Sequence, residues 1–174
     1  RLSRSNIRKC ASGCWTSRFL REDDLVYAGT AKIDITPSAE VWMDGMIRTH
    51  RSTGVHDPIY ARALILSDSS ALSDAFAVVS LDICTIEKED ADAVRREAAS
   101  NTGIPAEQII LAATHTHSGP ATHGFFNPKE MEYVEELRGK IASVIEEAIG
   151  NMRPAGAGYA SGSENTISHY RRLL

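Results

Sequence analysis

The chain has 174 residues, of which 43% are hydrophobic and 24% are charged, a composition that suits one globular domain with a sizeable core. It contains no run of about 18 apolar residues, so the sequence predicts no membrane-spanning helix. The net charge of −4 is unevenly distributed, because residues 1–21 carry six basic side chains and no acidic one. The rest of the chain therefore has a net charge of −10, which argues against nucleic-acid binding.

Residues 1–25 form a basic, serine-rich segment that we predict to be a disordered or non-native extension. A functional arm or a targeting segment is the alternative, but the segment lacks the continuous apolar stretch of a secretory signal. Two of the three cysteines lie here without partners that would complete a zinc site, and three cysteines do not make a disulfide framework. We therefore expect the ordered domain to occupy residues 26–174.

Three strands are predicted in the first half of this domain, at residues 26–35, 59–66 and 75–83. The first of them stops before a Thr-Pro pair, as a strand should before proline. The third is nearly continuous in apolar character, which is typical of a central strand covered on both faces. Residues 38–54, between the first two strands, show no clean period and are predicted to be a loop.

The second half alternates helices and strands. A helix is predicted at residues 87–100, a strand at 108–112 and one or two loosely alternating strands at 155–170. A second helix is predicted to begin with Asn127 as its cap and Pro128 as its first residue. Its buried face is predicted from apolar residues at helical spacing: Val134, Leu137, Ile141, Val144, Ile145 and Ala148. This order predicts an α/β fold, a layered mixed sheet flanked by helices.

The most distinctive stretch is Thr-His-Thr-His-Ser-Gly-Pro at residues 114–120, which follows an apolar run. In an extended segment His115 and His117 point to the same side, because the side-chain period is two. The end of a strand is also where open α/β sheets place their sites. A catalytic zinc needs about three protein ligands and an open position, so partners would have to come from elsewhere. The pattern alone leaves open a metal or catalytic site and a hydrogen-bonded turn.

Four further residues have side chains of types that carry chemistry. His123 follows closely after the His-Thr-His stretch. His56 beside Asp57 is either a ligand or acid–base pair, or part of a polar turn. Asp82 ends an apolar strand, where it is either a functional carboxylate or the cap of the following helix. Cys84 is interpreted as a small buried residue rather than a nucleophile.

Four segments of the chain carry recognisable motifs. The opening strand ends in Asp-Ile-Thr-Pro, a later segment contains Gly-Val-His with Ala-Arg-Ala, an acid follows the central strand, and Thr-His-Thr-His-Ser-Gly-Pro is the most specific motif. Taken in this order, the segments resemble the neutral/alkaline non-lysosomal ceramidase family. A weaker match at residues 168–172 has Tyr170 where asparagine is usual. The resemblance covers residues 27–174. The four main segments are residues 28–37, 54–63, 80–82 and 114–120.

The resemblance implies a zinc-dependent amidohydrolase that cleaves the N-acyl bond of ceramide, or of a related N-acyl lipid, to a sphingoid base and a fatty acid. By motif, it implies that His115 is a zinc ligand. His117 contacts the substrate and helps to stabilise the developing oxyanion, and Arg171 lies near the polar head. The family's other ligands, a second histidine, a glutamate and a tyrosine, have no match here, nor does its proposed active serine. We therefore expect an N-terminal portion of a larger catalytic domain, with weak zinc binding and little activity alone.

Two other hypotheses remain. One is a non-catalytic α/β binding module that keeps the scaffold without the chemistry. The other is a self-contained metalloenzyme whose ligands would be His56, His115, His117 and His123. The resemblance also implies an N-acyl lipid as the partner, contact with a membrane surface and a secreted or outward-facing location, although no secretory signal is visible.

Overall fold

The structure, a computed structural model, describes residues 16–19, 26–164 and 166–167. By their contacts these residues fall into two units. The larger unit spans Tyr27–Pro154, and the smaller one is formed by the segments that flank it in the chain. The family motifs that can be located in the structure lie in the larger unit.

The smaller unit contains a two-stranded sheet. In it, β1 (Thr16–Phe19) pairs antiparallel with β7 (Gly158–Ser161). The rest of the extension predicted at residues 1–25 lies outside the described residues.

A five-stranded mixed sheet is the centre of the larger unit. From one edge of the sheet to the other, the order is the fifth, fourth, third, second and sixth strand of the chain. Neighbouring strands are therefore also consecutive in the sequence, except for the second and the sixth. The second, third and fourth strands pair antiparallel, and the fourth and fifth pair parallel. The strands are β2 (Val26–Asp34), β3 (Tyr60–Ser67), β4 (Phe76–Leu81), β5 (Ile109–Ala113) and β6 (Arg153–Ala155).

Two helices connect these strands, α1 (Lys88–Thr102) and α2 (Met131–Gly150). α1 ends at Thr102, two residues later than predicted, and Gly103 follows it with a φ of 82°, in the left-handed region that glycine adopts easily. α2 begins later than predicted, because Asn127 does not cap it. The Asn127 amide instead donates to two carbonyl groups of the loop at residues 43–48. None of the helices in the described part of the chain is long and apolar enough to cross a membrane.

Both helices pack on one face of the sheet and share one hydrophobic core with it. β3 and β4 contribute alternate residues to this core, as strands with one covered face do. The apolar stripe predicted for α2 is confirmed, since each of its members is buried: Val134, Leu137, Ile141, Val144, Ile145 and Ala148. Full burial of a valine, leucine or isoleucine side chain contributes about 1.5–3 kcal/mol.

The opposite face of the sheet is partly exposed, so the prediction that the strand at residues 75–83 is covered on both faces is wrong. Phe76 is 50% exposed, Val78 is 36% exposed and Ile110 of β5 is 49% exposed. The register places Val78 directly beside Ile110, which makes this exposed surface continuous across the two strands. An unbroken apolar run does not distinguish two covered faces from one covered face and one exposed apolar face.

Charged side chains join α1 to α2 beside the core. Asp90 is 4% exposed, and its carboxylate accepts hydrogen bonds from Lys129, at 2.7 Å, and from Arg138. Burial by itself would raise the pKa of Asp90, but the two cations outweigh burial and hold the pKa below its ordinary value of 3.8. The ionised carboxylate therefore stabilises the contact between the helices.

Acid is expected to weaken the fold partly through Asp90. Because its folded-state pKa lies below the unfolded value, its contribution is fully present above about pH 4 and is lost as the pH falls through the folded-state pKa. Asp90→Asn should lower the free energy of unfolding at neutral pH by about 1–3 kcal/mol. It should also reduce the further loss of stability in acid. Urea unfolding across this pH range tests both effects, and equal acid sensitivity of the two proteins would contradict the assignment.

Candidate metal centre

Two loops meet at the edge of the sheet where β4 and β5 end. Since these strands run parallel, their carboxyl ends lie side by side, the position at which open α/β sheets place functional groups. The backbone N–H of Thr114 donates to the carbonyl of Leu81 at 2.9 Å. The N–H of His115 donates to the carbonyl of Ile83 at 3.1 Å. These bonds bring the segment with the two histidines beside Cys84.

His115 has a left-handed backbone conformation, with a φ of 63° that is uncommon for residues other than glycine. Such conformations cost about 1–3 kcal/mol and cluster at functional sites. Its Nδ1 lies 2.9 Å from the carbonyl oxygen of Cys84, and because a carbonyl only accepts hydrogen bonds, Nδ1 carries the proton. Nε2 is therefore the ring atom that is free to bind a metal.

Cys84, His115 and His117 form the one group of three potential metal-binding residues in the part of the chain that the structure describes. One ligand atom from each lies within 4.8 Å of those from the other two. The two imidazole rings meet edge to face, with their centroids 4.9 Å apart. Both histidines are exposed and can be reached from solvent, whereas the thiol is buried.

The donor chemistry of this group fits zinc in part. Neutral imidazoles are common zinc ligands. The Cys84 thiol is a poorer donor, because its burial, and next the negative charge of Asp44, raise its pKa and disfavour the thiolate that binds metals. Its sulfur also lies 3.5 Å from Nδ1 of His115, the protonated ring atom. The group thus offers two good ligands, where a catalytic zinc needs about three.

The other two candidate histidines lie outside this group. Nδ1 of His123 accepts a hydrogen bond of 3.0 Å from the backbone N–H of Phe125, so its proton is on Nε2, which faces the Asp44 carboxylate at 3.6 Å. His56 is almost fully exposed and contacts the neighbouring Asp57 carboxylate at 2.6 Å. A metal site built from all four histidines is therefore not assembled among the described residues.

Asp82 makes structural contacts within the sheet. Its Oδ2 accepts a hydrogen bond from the backbone N–H of Tyr60, at 3.0 Å, and another from Arg62, at 2.8 Å. The alternative role as a helix cap is not observed, since Glu87 occupies the cap position of α1. Arg171 lies outside the described residues.

Asp44 and Gly45 lie beside the metal-binding group, although sequence reasoning did not select them. Asp44 is fully buried, and its Oδ2 accepts a hydrogen bond of 2.8 Å from the backbone N–H of Thr122. Gly45 lies so close to His117 that a Cβ atom would be 2.4 Å from Cγ of the ring. The only sequence signal is a Met-Asp-Gly turn inside a loop, which does not show that the aspartate is buried.

Comparison with known proteins identifies relatives over most of the larger unit. The family model described as neutral/alkaline non-lysosomal ceramidase, N-terminal, matches residues 27–153. A neutral ceramidase of Pseudomonas aeruginosa is 31% identical over 166 residues, which cover 88% of this chain and 25% of that protein. Neutral ceramidase A of Dictyostelium discoideum is 36% identical over 107 residues, 59% of this chain and 15% of that protein. The chain spans a quarter or less of these relatives.

Solved structures share the fold. A ceramidase complexed with C2 matches with a TM-score of 0.66 and 27% identity, over 75% of this chain and 22% of that chain. A crystal structure of neutral ceramidase from Pseudomonas aeruginosa matches with a TM-score of 0.62 and 27% identity, over 76% and 23% of the two chains. These matches confirm the predicted α/β class with its mixed sheet and flanking helices, and they cover only part of the larger proteins.

Proposed function

This chain belongs to the neutral/alkaline non-lysosomal ceramidase family, and from that premise we propose that its His115 and His117 form part of a zinc-dependent amidohydrolase site. The bond cleaved would be the N-acyl bond of ceramide or a related N-acyl lipid. The observation that carries the proposal is the geometry of His115, whose Nδ1 is held by the Cys84 carbonyl. Its Nε2 has no hydrogen-bond partner among the described residues, and its ring lies beside a second exposed imidazole.

His115 would hold the zinc, and His117 would face the substrate. When bound, zinc supplies Lewis-acid polarisation of the amide carbonyl. A ring N–H of His117 can donate a hydrogen bond to the carbonyl oxygen as negative charge develops on it. We assign Arg171 to the region near the polar head of the substrate, and His123 to the support of the loop that follows His117. The contacts of His56 and Asp82 favour structural roles.

An apolar rim on two loops, one after Gly45 and one after His123, supports a lipid substrate. It consists of two exposed pairs, Met46 with Ile47 and Phe125 with Phe126, in which Ile47 and Phe125 are 78% and 79% exposed. Asn127 ties the two loops together by donating to the Met46 carbonyl at 2.8 Å. An exposed apolar patch of this kind suits an acyl chain at a membrane surface.

The donor count limits what the described residues can do alone. His115 is the one proposed zinc ligand, and even if His117 is counted with it, two imidazoles are fewer than the three ligands of a catalytic zinc. We therefore propose that this chain by itself binds zinc weakly and turns substrate over slowly or not at all. A binding module that holds the lipid without cleaving it is the second candidate, favoured by the apolar rim.

The test is to incubate the full chain with a short-chain ceramide, with added zinc or with EDTA, and to measure bound lipid and released fatty acid. We expect lipid binding that depends on zinc and on His115, with little turnover. Lipid binding that neither EDTA nor His115→Ala changes would support the binding module. Rapid EDTA-sensitive turnover would contradict the limit set by the donor count. His56→Ala is the matched control, since this exposed histidine lies outside the metal-binding group.

A further inference from the structure

The loop at residues 42–48, which we name the strap, lies along the segment that follows His117. The backbone N–H of Asp44 donates to the carbonyl of Gly119 at 3.0 Å, and that of Ala121 donates to Trp42 at 2.7 Å. These bonds act together as a short stretch of sheet-like pairing, with one bridge between Met43 and Pro120. The strap is thereby held in register against the loop that carries His117.

Side chains reinforce this pairing at both ends. Asn127 donates to the carbonyl groups of Met43 and Met46, each at 2.8 Å, and accepts the backbone N–H of Arg48 at 3.1 Å. The Arg48 guanidinium then donates to the carbonyl oxygen of His117 at 2.7 Å. The strap therefore has a fixed backbone where it passes the His117 ring.

Asp44 is the buried anchor of the strap. Its Oδ2 accepts hydrogen bonds from the backbone N–H groups of Thr122, at 2.8 Å, and His123, at 3.4 Å. Its Oδ1 is buried and has no hydrogen-bond partner among the described residues. Burying a carboxylate with an unpartnered oxygen costs free energy of folding. Its bonded oxygen nevertheless fixes the loop beyond His117 to the strap.

Gly45 provides the surface on which the His117 ring rests. Its φ of 89° is left-handed, and a Cβ atom there would lie 2.4 Å from Cγ, 2.5 Å from Cδ2 and 2.8 Å from Cβ of His117. No hydrogen bond to the His117 ring occurs within the described residues, so its orientation depends on packing. The backbone of Gly45 and the ring of His115 contribute to this packing.

We propose that Gly45, anchored by Asp44, is a positioning residue that directs the His117 imidazole toward the space shared with His115. This inference rests on the proposed role of His117 as the substrate contact. A side chain at position 45 would occupy the volume of the ring, and the ring would have to rotate away. The substrate carbonyl would then lose its donor while the zinc-binding atom of His115 stayed in place.

The test is NMR of the full chain with labelled histidine, at one pH and without metal, for the wild type, Gly45→Ala and Gly54→Ala. We expect the ring signals of His117 to move in Gly45→Ala, and its NOE contacts to position 45 to change. The signals of His56 should stay unchanged. Gly54→Ala is the matched control, because a Cβ atom there has no neighbour within 4 Å. A folded Gly45→Ala protein with unmoved His117 signals would overturn the proposal.

Asp44 variants keep the proposal testable if Gly45→Ala does not fold. Asp44→Ala should move the same His117 signals. Asp44→Asn should leave them at their wild-type positions, since an amide oxygen still accepts the two backbone N–H groups. Equal spectra of Asp44→Ala and the wild type would overturn the proposed role of Asp44 as the anchor.

We also expect Gly45→Ala to weaken binding of the short-chain ceramide by about tenfold, as for one lost hydrogen bond. Displaced His117 signals with unchanged lipid binding would support positioning and contradict the proposed substrate contact.

Discussion

Replacement of His115 by alanine is expected to weaken zinc binding to the chain by at least about 100-fold. A loss of this size is larger than is usual when the replaced residue contacts only a metal ligand and not the metal itself. The reason is that His115 is the imidazole whose tautomer is fixed, with Nδ1 held by the Cys84 carbonyl at 2.9 Å. Without it, the group retains His117 and a buried thiol whose raised pKa disfavours metal binding. Competition with a chromogenic zinc chelator near neutral pH measures the change.

A second variant separates metal binding from stability. Asparagine tolerates the left-handed conformation of His115 better than most residues do, so His115→Asn should keep the free energy of unfolding within about 1 kcal/mol of the wild type. It should lose zinc binding to the same extent as His115→Ala. The control His56→Ala should bind zinc like the wild type, because His56 belongs to no metal-binding group among the described residues. Unchanged zinc affinity in both His115 variants would exclude this position as a ligand.

Gly29→Ala is expected to destabilise the larger unit by about 3 kcal/mol, at the upper end of the usual cost of overpacking. A Cβ atom on Gly29 would lie 2.0 Å from the backbone carbonyl oxygen of Ala148 and 2.9 Å from the backbone nitrogen of Met152. These are backbone atoms, so no side chain can move aside. The end of α2 would have to shift away from β2. Urea unfolding compared with the wild type measures the loss.

Gly139→Ala is the matched control for this prediction. Gly139 lies inside α2, and a Cβ atom there has no neighbour within 4 Å. Alanine should therefore stabilise the helix by about 0.5–1 kcal/mol through its better helix propensity. If Gly29→Ala were as stable as the wild type, the close approach of β2 to the end of α2 would be contradicted.

Much of the fold was predictable because it depends on local signals. The strands β2 to β5 and α1 lie within two residues of their predicted ends, since proline, glycine and the period of apolar residues mark those ends directly. The strands β6 and β7 do not match the bounds predicted at residues 155–170 in this way. The start of α2 was not predictable in this way. Asn127 is a good helix cap by type, but its side chain is engaged by the loop at residues 43–48, which is distant in sequence.

The candidate site also has some features that the sequence indicates and others that only the structure shows. Four segments in order were enough to indicate the family, and the most specific of them, Thr-His-Thr-His-Ser-Gly-Pro, selected His115 and His117 as candidates. Sequence did not indicate that Cys84 would lie beside them, because that contact requires the parallel pairing of β4 with β5. It also left Asp82 open between a functional carboxylate and a helix cap, and the structure shows that Asp82 accepts a hydrogen bond from Arg62 while Glu87 occupies the cap position.

The sequence by itself determined the α/β class, the buried stripe of α2 and the membership of a family, because each depends on residue type and spacing along the chain. Only the tertiary structure decided that one face of the sheet stays exposed, that Nε2 of His115 is the free ring atom, and that Gly45 supports His117. Those features arise from contacts between segments far apart in the sequence, and no local pattern encodes which distant atom a side chain will meet.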